Sequence, residues 1–198
     1  MWRNLSCLAV VLSVALLGPA TAGAEGDPVR GKALADTCKG CHFIPNYKNS
    51  YPVYKVPMLG GQNEEYVVIA LKAYAGGERG HQTMHSQAAS MTEQDMADIA
   101  AYLGAYGDIV AGPPKGEAPA AATTCAACHG ERGMSVLEQY PHLAGQHASY
   151  LSYALEQYRS GARKNAVMAG FATQLSDADI ESLAAFFAAQ QGLFTPER

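Results

Sequence analysis

Apolar side chains recur at helical spacing in three stretches of the first half of the chain, Val29 to Cys38, Glu64 to Ala75 and Glu93 to Tyr106, each bounded by glycine and proline clusters. The second half repeats them. Thr92 followed three residues later by Asp95, and Ser176 followed by Asp179, have the form of N-terminal caps opening the last helix of each half. No run alternates apolar and polar residues as a strand would, so the pattern predicts an all-α protein. Ahead of these segments an apolar run from Leu5 to Leu17 follows the single charge of Arg3 and ends in Gly18-Pro19, with small residues at Ala22-Gly23-Ala24. The run falls short of the roughly 20 residues that span a bilayer. It reads as a signal peptide over residues 1–24, cleaved near Glu25, which predicts an exported protein.

The chain repeats itself. An offset of 84 residues carries Pro57, Leu59, Gly61, Gln62, Tyr66 and Tyr74 onto Pro141, Leu143, Gly145, Gln146, Tyr150 and Tyr158 without a gap. The same register takes Gly77, Arg79, Met84 and Asp95 onto Gly161, Arg163, Met168 and Asp179. Two units of this size are a domain duplication rather than a solenoid of short repeats. We therefore expect two tandem domains, residues 25–106 and 117–198, joined by a linker at 107–116 that contains Gly112-Pro113-Pro114. Each unit has about 85 residues, a size at which a protein core alone is marginal and a large apolar cofactor would add much of the missing burial.

Charge narrows the partners. The 198 residues carry a net −4, and loss of the leader with Arg3 makes this −5, while Cys7 goes with it and leaves four of the five cysteines. An acidic chain with its charges spread along both halves is a poor match for nucleic acid.

The four remaining cysteines form Cys38-Lys39-Gly40-Cys41-His42 and Cys125-Ala126-Ala127-Cys128-His129. In a c-type haem site two thiols so spaced bond the porphyrin vinyl groups, and the next histidine ligates iron from one face. A disulfide, a zinc site and a thioredoxin-like pair compete with this reading. None explains why each pair carries its own histidine and its own copy of the repeat, and the last expects a βαβ context that is missing. The sequence thus predicts two haem c groups, bound covalently at Cys38, Cys41, Cys125 and Cys128, with His42 and His129 as axial ligands. For the opposite axial position, Met84 and Met168 are the only methionines that coincide under the repeat. A thioether there stabilises ferrous iron and raises the reduction potential. His81 and His85 flank Met84 and compete with it. The carbonyls of Pro57 and Pro141 are candidate acceptors for the free ring N–H of the two histidines. Gln62, Gln146, Tyr74, Tyr158, Arg79 and Arg163 are candidates for haem propionates, with helix packing an equal explanation of each. His142 and His147 read as surface or packing residues.

These motifs together resemble the di-haem cytochrome c4 type of class I cytochromes c over essentially the whole length after the leader. The resemblance rests on the two haem motifs, the Pro-x-Leu-x-Gly-Gln stretches at Pro57 and Pro141, the Gly-x-Arg at Gly77 and Gly161, the matched methionines and the Ser176 to Ile180 segment. It implies two tandem class I cytochrome c domains, each wrapped around one covalent haem c and packed face to face, with His42/Met84 and His129/Met168 as axial pairs. It also implies a periplasmic carrier of single electrons in a respiratory chain, from a cytochrome bc complex toward a terminal oxidase, reaching the membrane only through partners. The alternative is an electron-accepting subunit of a periplasmic dehydrogenase. A di-haem enzyme in its own right fits less well, since no cysteine is left over as an unusual ligand and both methionines are present. The first half departs from the pattern in its Phe43 to Val56 loop, which makes the path from His42 to Pro57 three residues longer than that from His129 to Pro141 and carries Tyr47, Tyr51 and Tyr54. We expect this loop to cover the haem edge in preference to forming a partner surface.

Overall fold

Residues 25–107 and 109–197 are described by a computed structural model; the leader assigned to residues 1–24 lies outside them. Nine helices follow one another among the described residues: α1 Pro28–Leu34, α2 Asp36–His42, α3 Glu64–Ala75, α4 Gln82–Ala88, α5 Glu93–Gly104, α6 Ala122–His129, α7 Ala148–Arg159, α8 Ala166–Ala172 and α9 Asp177–Ala189. The repeat is structural, since α3, α4 and α5 recur 84 residues later as α7, α8 and α9. The last helix of each half opens on a complete capping box. The hydroxyls of Thr92 and Ser176 accept from the N–H groups of Asp95 and Asp179, whose carboxylates accept in return from the cap N–H.

Two sequence expectations are corrected. The stretch Val29 to Cys38 is not one helix: the chain breaks at buried Ala35, with ψ near 4°, and helix resumes to His42. Nor does α1 recur. Asp27 caps α1 and donates its own N–H to Asp98 on α5, while Arg30 pairs with Asp95 and Asp98. Gly31 brings α1 so close to α5 that a Cβ there would lie 1.8 Å from the Asp98 carbonyl oxygen. The repeat puts Ser182 where Asp98 stands, and the second segment carries Pro113, Pro114, Gly116 and Pro119. Those prolines remove the N–H groups a helix needs, and the buried carboxylate that would anchor one is gone.

Each half has its own core. In the first, α5 lies on α1 and α3, burying Val67, Leu71, Ile99 and Leu103; in the second, α9 lies on α7, burying Leu151, Leu183 and Phe187. The halves meet through backbone as well as side chains. Gly60 exchanges hydrogen bonds with Phe194, and Arg79 forms an antiparallel bridge with Arg163. Arg79 and Arg163 are equivalent under the repeat, and an antiparallel pairing of equivalent residues is what a local two-fold axis produces. Beyond isolated bridges, the described residues form no strand.

The Phe43 to Val56 loop reaches this boundary. Phe43 is buried against Tyr102 and Tyr106, and Tyr54 stacks on Tyr153 of the second domain with ring centroids 4.1 Å apart. The Lys55 N–H donates to the Ser149 hydroxyl. The extra residues of the first half therefore serve domain contact, a role that neither sequence expectation for the loop included, while Tyr51 and Val53 face solvent.

Candidate functional site

On α2 the side chains of Cys38, Cys41 and His42 stand at positions i, i+3 and i+4, and on α6 Cys125, Cys128 and His129 do the same. That spacing puts all three on one face of a helix. His42 donates from Nδ1 to the Pro57 carbonyl at 2.8 Å, and His129 from Nδ1 to the Pro141 carbonyl at 3.0 Å. The proton is thereby held on Nδ1 and the lone pair on Nε2, the form in which an imidazole ligates a metal. Burial pushes both histidines below their ordinary pKa, against the opposing effect of the proline carbonyls, so both rings are held neutral. It also pushes the Cys38 and Cys125 thiols up.

Met84 and Met168 sit on α4 and α8, two helices that the periodicity of the sequence does not reveal. Each is only seven residues long, too short for an apolar stripe to register. Their signal lies in the caps. The Met168 N–H donates to Asn165 Oδ1 at 3.0 Å, and the Met84 N–H donates to His81 Nδ1 at 3.2 Å. His81 and Asn165 are equivalent under the repeat and perform the same local task. His85 donates from Nδ1 to the Tyr74 carbonyl at 2.8 Å, which ties its ring to α3. Met84 and Cys38 both pack against the first apolar core, and Cys125 packs against the second.

The Gly-x-Arg segments explain themselves at the end of α3 and α7. Gly77 and Gly161 both have φ +77°, a left-handed conformation that turns the chain back and sends Arg79 and Arg163 to the domain boundary. There Arg79 lies over the Tyr74 ring and Arg163 over the Tyr158 ring, each with its guanidinium carbon 4.4 Å from the centroid. Arg163 donates to the Tyr66 hydroxyl at 2.8 Å, and Arg79 donates to Tyr66 and Tyr150. Burial pushes the Tyr66 phenol up, but the two guanidiniums outweigh it and bring it down to about 8.

The glutamines are committed elsewhere. Gln62 accepts from the His142 N–H and donates to the His142 carbonyl, at 2.8 and 3.1 Å; Gln146 does the same to Met58, at 3.0 and 3.0 Å. Each side chain thus holds the backbone of the other domain, which the sequence does not disclose. His142 is half-buried, and its Nδ1 is the one buried side-chain polar atom among the described residues that has no hydrogen-bond partner.

These residues fit a haem. Arg79 is buried and Arg163 partly so, and among the described residues neither forms an ion pair; their hydrogen-bond partners are tyrosine hydroxyls. A buried guanidinium without an anion is costly. A ligand that is apolar in its body and bears carboxylates at one edge meets both the cores beside the cysteines and the two cations. Among the described residues none of the four cysteines is in a disulfide, and no three His, Cys, Asp or Glu side chains converge as a metal-binding group. The iron of haem c supplies one-electron chemistry; the chain supplies attachment, axial ligation and the surrounding charge.

Known proteins give the same answer. The cytochrome c family model matches twice, over residues 28–105 and 114–190. Cytochrome c4 of Pseudomonas aeruginosa is 32% identical over 207 aligned positions, covering 96% of this chain and 99% of that protein. A thiosulfate dehydrogenase electron acceptor of Thiomonas intermedia is 26% identical, covering 91% of this chain and 90% of its own length. The crystal structure of reduced cytochrome c4 from Pseudomonas stutzeri superposes with a TM-score of 0.64 at 28% identity, over 85% of this chain and all of that one. Two family matches, one around each Cys-x-x-Cys-His helix, and full-length similarity to di-domain relatives lead to one conclusion: the chain belongs to the cytochrome c family, as an electron carrier of the di-haem cytochrome c4 type with one haem c in each domain.

Proposed function

We propose that this protein carries single electrons through the periplasm in a respiratory chain, taking them from a cytochrome bc complex and delivering them toward a terminal oxidase. In this reading Cys38 and Cys41 hold one haem and Cys125 and Cys128 the other, within domains 25–106 and 117–198 joined by linker 107–116. His42 with Met84, and His129 with Met168, are the axial pairs, and the leader over residues 1–24 directs export. The observation that carries the ligand assignment is the state of the side chains around Met84: His81 accepts the Met84 N–H on Nδ1, which leaves its proton on Nε2, and His85 is exposed, while the thioether lies against the same core as Cys38. Among the described residues no helix is long and apolar enough to cross a membrane; in this reading the protein meets the membrane through its redox partners. Two six-coordinate irons suit a carrier, because oxidation and reduction then need little rearrangement of ligands.

The test is optical. A pyridine haemochrome count of two haems per chain, with a Met-to-iron charge-transfer band at full strength for two sites, is expected of the oxidised periplasmic protein. Half or none of that band would remove one or both methionines from the assignment. A second reading, an electron-accepting subunit of a periplasmic dehydrogenase, is favoured by the similarity to the thiosulfate dehydrogenase electron acceptor. Gentle purification from the native cell separates them: a stoichiometric dehydrogenase partner supports the subunit, and rapid exchange with unrelated soluble partners supports the carrier.

A further inference from the structure

The bond that orients each axial histidine and the bond that holds the opposite domain end on the same peptide unit. The Pro57 carbonyl accepts from His42, and the N–H of that peptide, which belongs to Met58, donates to Gln146 Oε1 in the second domain. In mirror fashion the Pro141 carbonyl accepts from His129, and the His142 N–H donates to Gln62 Oε1 in the first domain. Each glutamine is fixed in turn. Gln146 Oε1 also accepts from the His147 N–H at 3.0 Å and its amide donates to the Met58 carbonyl, while Gln62 Oε1 also accepts from Asn63 and its amide donates to His142. Both glutamines are buried, at 7% and 3% exposure, so water does not substitute for them.

An amide whose N–H is taken by an acceptor becomes a better acceptor at its own carbonyl, because the two bonds polarise one another through the conjugated unit. A stronger acceptor at the proline carbonyl makes the imidazole more basic, and a more basic axial ligand favours ferric iron. We infer that Gln62 and Gln146 are positioning residues that tune the haem of the opposite domain: Gln146 lowers the reduction potential of the first haem through the Pro57–Met58 peptide, and Gln62 that of the second through Pro141–His142. Docking of the domains is thereby written into the electronics of both irons. This rests on His42 and His129 being the axial ligands.

The test is a redox titration of the holoprotein followed by NMR, with haem-methyl resonances assigned to each domain. Gln146→Leu is expected to raise the potential of the first haem by about threefold in its ferrous-to-ferric ratio, or roughly 28 mV at 59 mV per tenfold, and to leave the second in place; Gln62→Leu gives the reverse. Gln146→Glu keeps and strengthens the acceptor, so the shift of the first haem changes sign. Ser149→Ala removes another bond across the boundary, to the Lys55 N–H, and moves neither haem. Shifts confined to the substituted domain, equal shifts in both haems, or no shift in either Gln→Leu variant would overturn the relay. The ligand reading fails separately, if the hyperfine-shifted imidazole signals of the wild-type protein lack a histidine on either iron.

Discussion

Arg79 and Arg163 meet across the domain boundary, joined by backbone as an antiparallel bridge and by side chain through the one hydroxyl of Tyr66. Two guanidiniums brought this close repel one another. The fold accepts the cost because α3 and α7 both end on a left-handed glycine that leaves the arginine no other direction. The arrangement would become favourable once carboxylates arrive, which is why we propose it as the site for the acidic edges of the two haems.

Removing one of these cations should be felt by both irons. A buried positive charge disfavours the ferric state, so Arg79→Leu is expected to lower both midpoint potentials, on the order of tenfold in the redox equilibrium, or 59 mV for one electron. Tyr66→Phe keeps both charges and should move the potentials far less. Spectroelectrochemical titration of each variant reads the difference.

Ligation at the first haem is open to direct substitution. Met84→Ala is expected to halve the charge-transfer band while the haemochrome count stays at two. His85→Ala should leave the band intact, since His85 is exposed while Met84 lies against the core beside Cys38. Loss of the band in the histidine variant instead would transfer the ligand role to that residue.

The haem motifs, the duplication, the all-helical fold and the proline acceptors could all be read from residue type and spacing, because covalent attachment and capping are local requirements. Helices α4 and α8 could not, since seven residues give no periodicity. The loss of α1 in the second half depends on Asp98 and Gly31, partners far apart in sequence. Gln62 and Gln146 stand out in the repeat, yet nothing local says that each would hold the other domain's backbone. What was missed is long-range polar pairing, which leaves no pattern of hydrophobicity.

Acid should release α1 first. The Asp27 N–H and the Gln94 amide, with Arg30 beside them, hold the Asp98 carboxyl below the ordinary carboxylate range, and the Thr92 cap does the same for Asp95. A depressed carboxylate contributes stability that is complete above its unfolded value of 3.8 and is lost as pH falls through the lower folded value. The protection of α1 amides, taken relative to their intrinsic exchange rates, is therefore expected to fall below about pH 4, ahead of that of α7. Asp98→Asn should bring that loss of protection to neutral pH and flatten its acid dependence.

Glycine placement gives a comparison internal to the repeat. Gly77 has φ +77° and nothing within 4 Å of a Cβ, so Gly77→Ala meets no clash and its cost is conformational alone, about 1–2 kcal/mol for an L residue held in the left-handed region. Gly40 also has open space around a Cβ, but it lies inside α2 with no such backbone. The second half already carries Ala127 at the equivalent place between its cysteines. Gly40→Ala is expected to stabilise by about 0.5–1 kcal/mol, since alanine loses less chain entropy in a helix. Guanidinium unfolding of the two holoproteins, followed by circular dichroism, should move the midpoint down for Gly77→Ala and up for Gly40→Ala. A drop in both would mean that α2 needs the glycine for a contact made by the first haem, one that the second domain, with its alanine, does without.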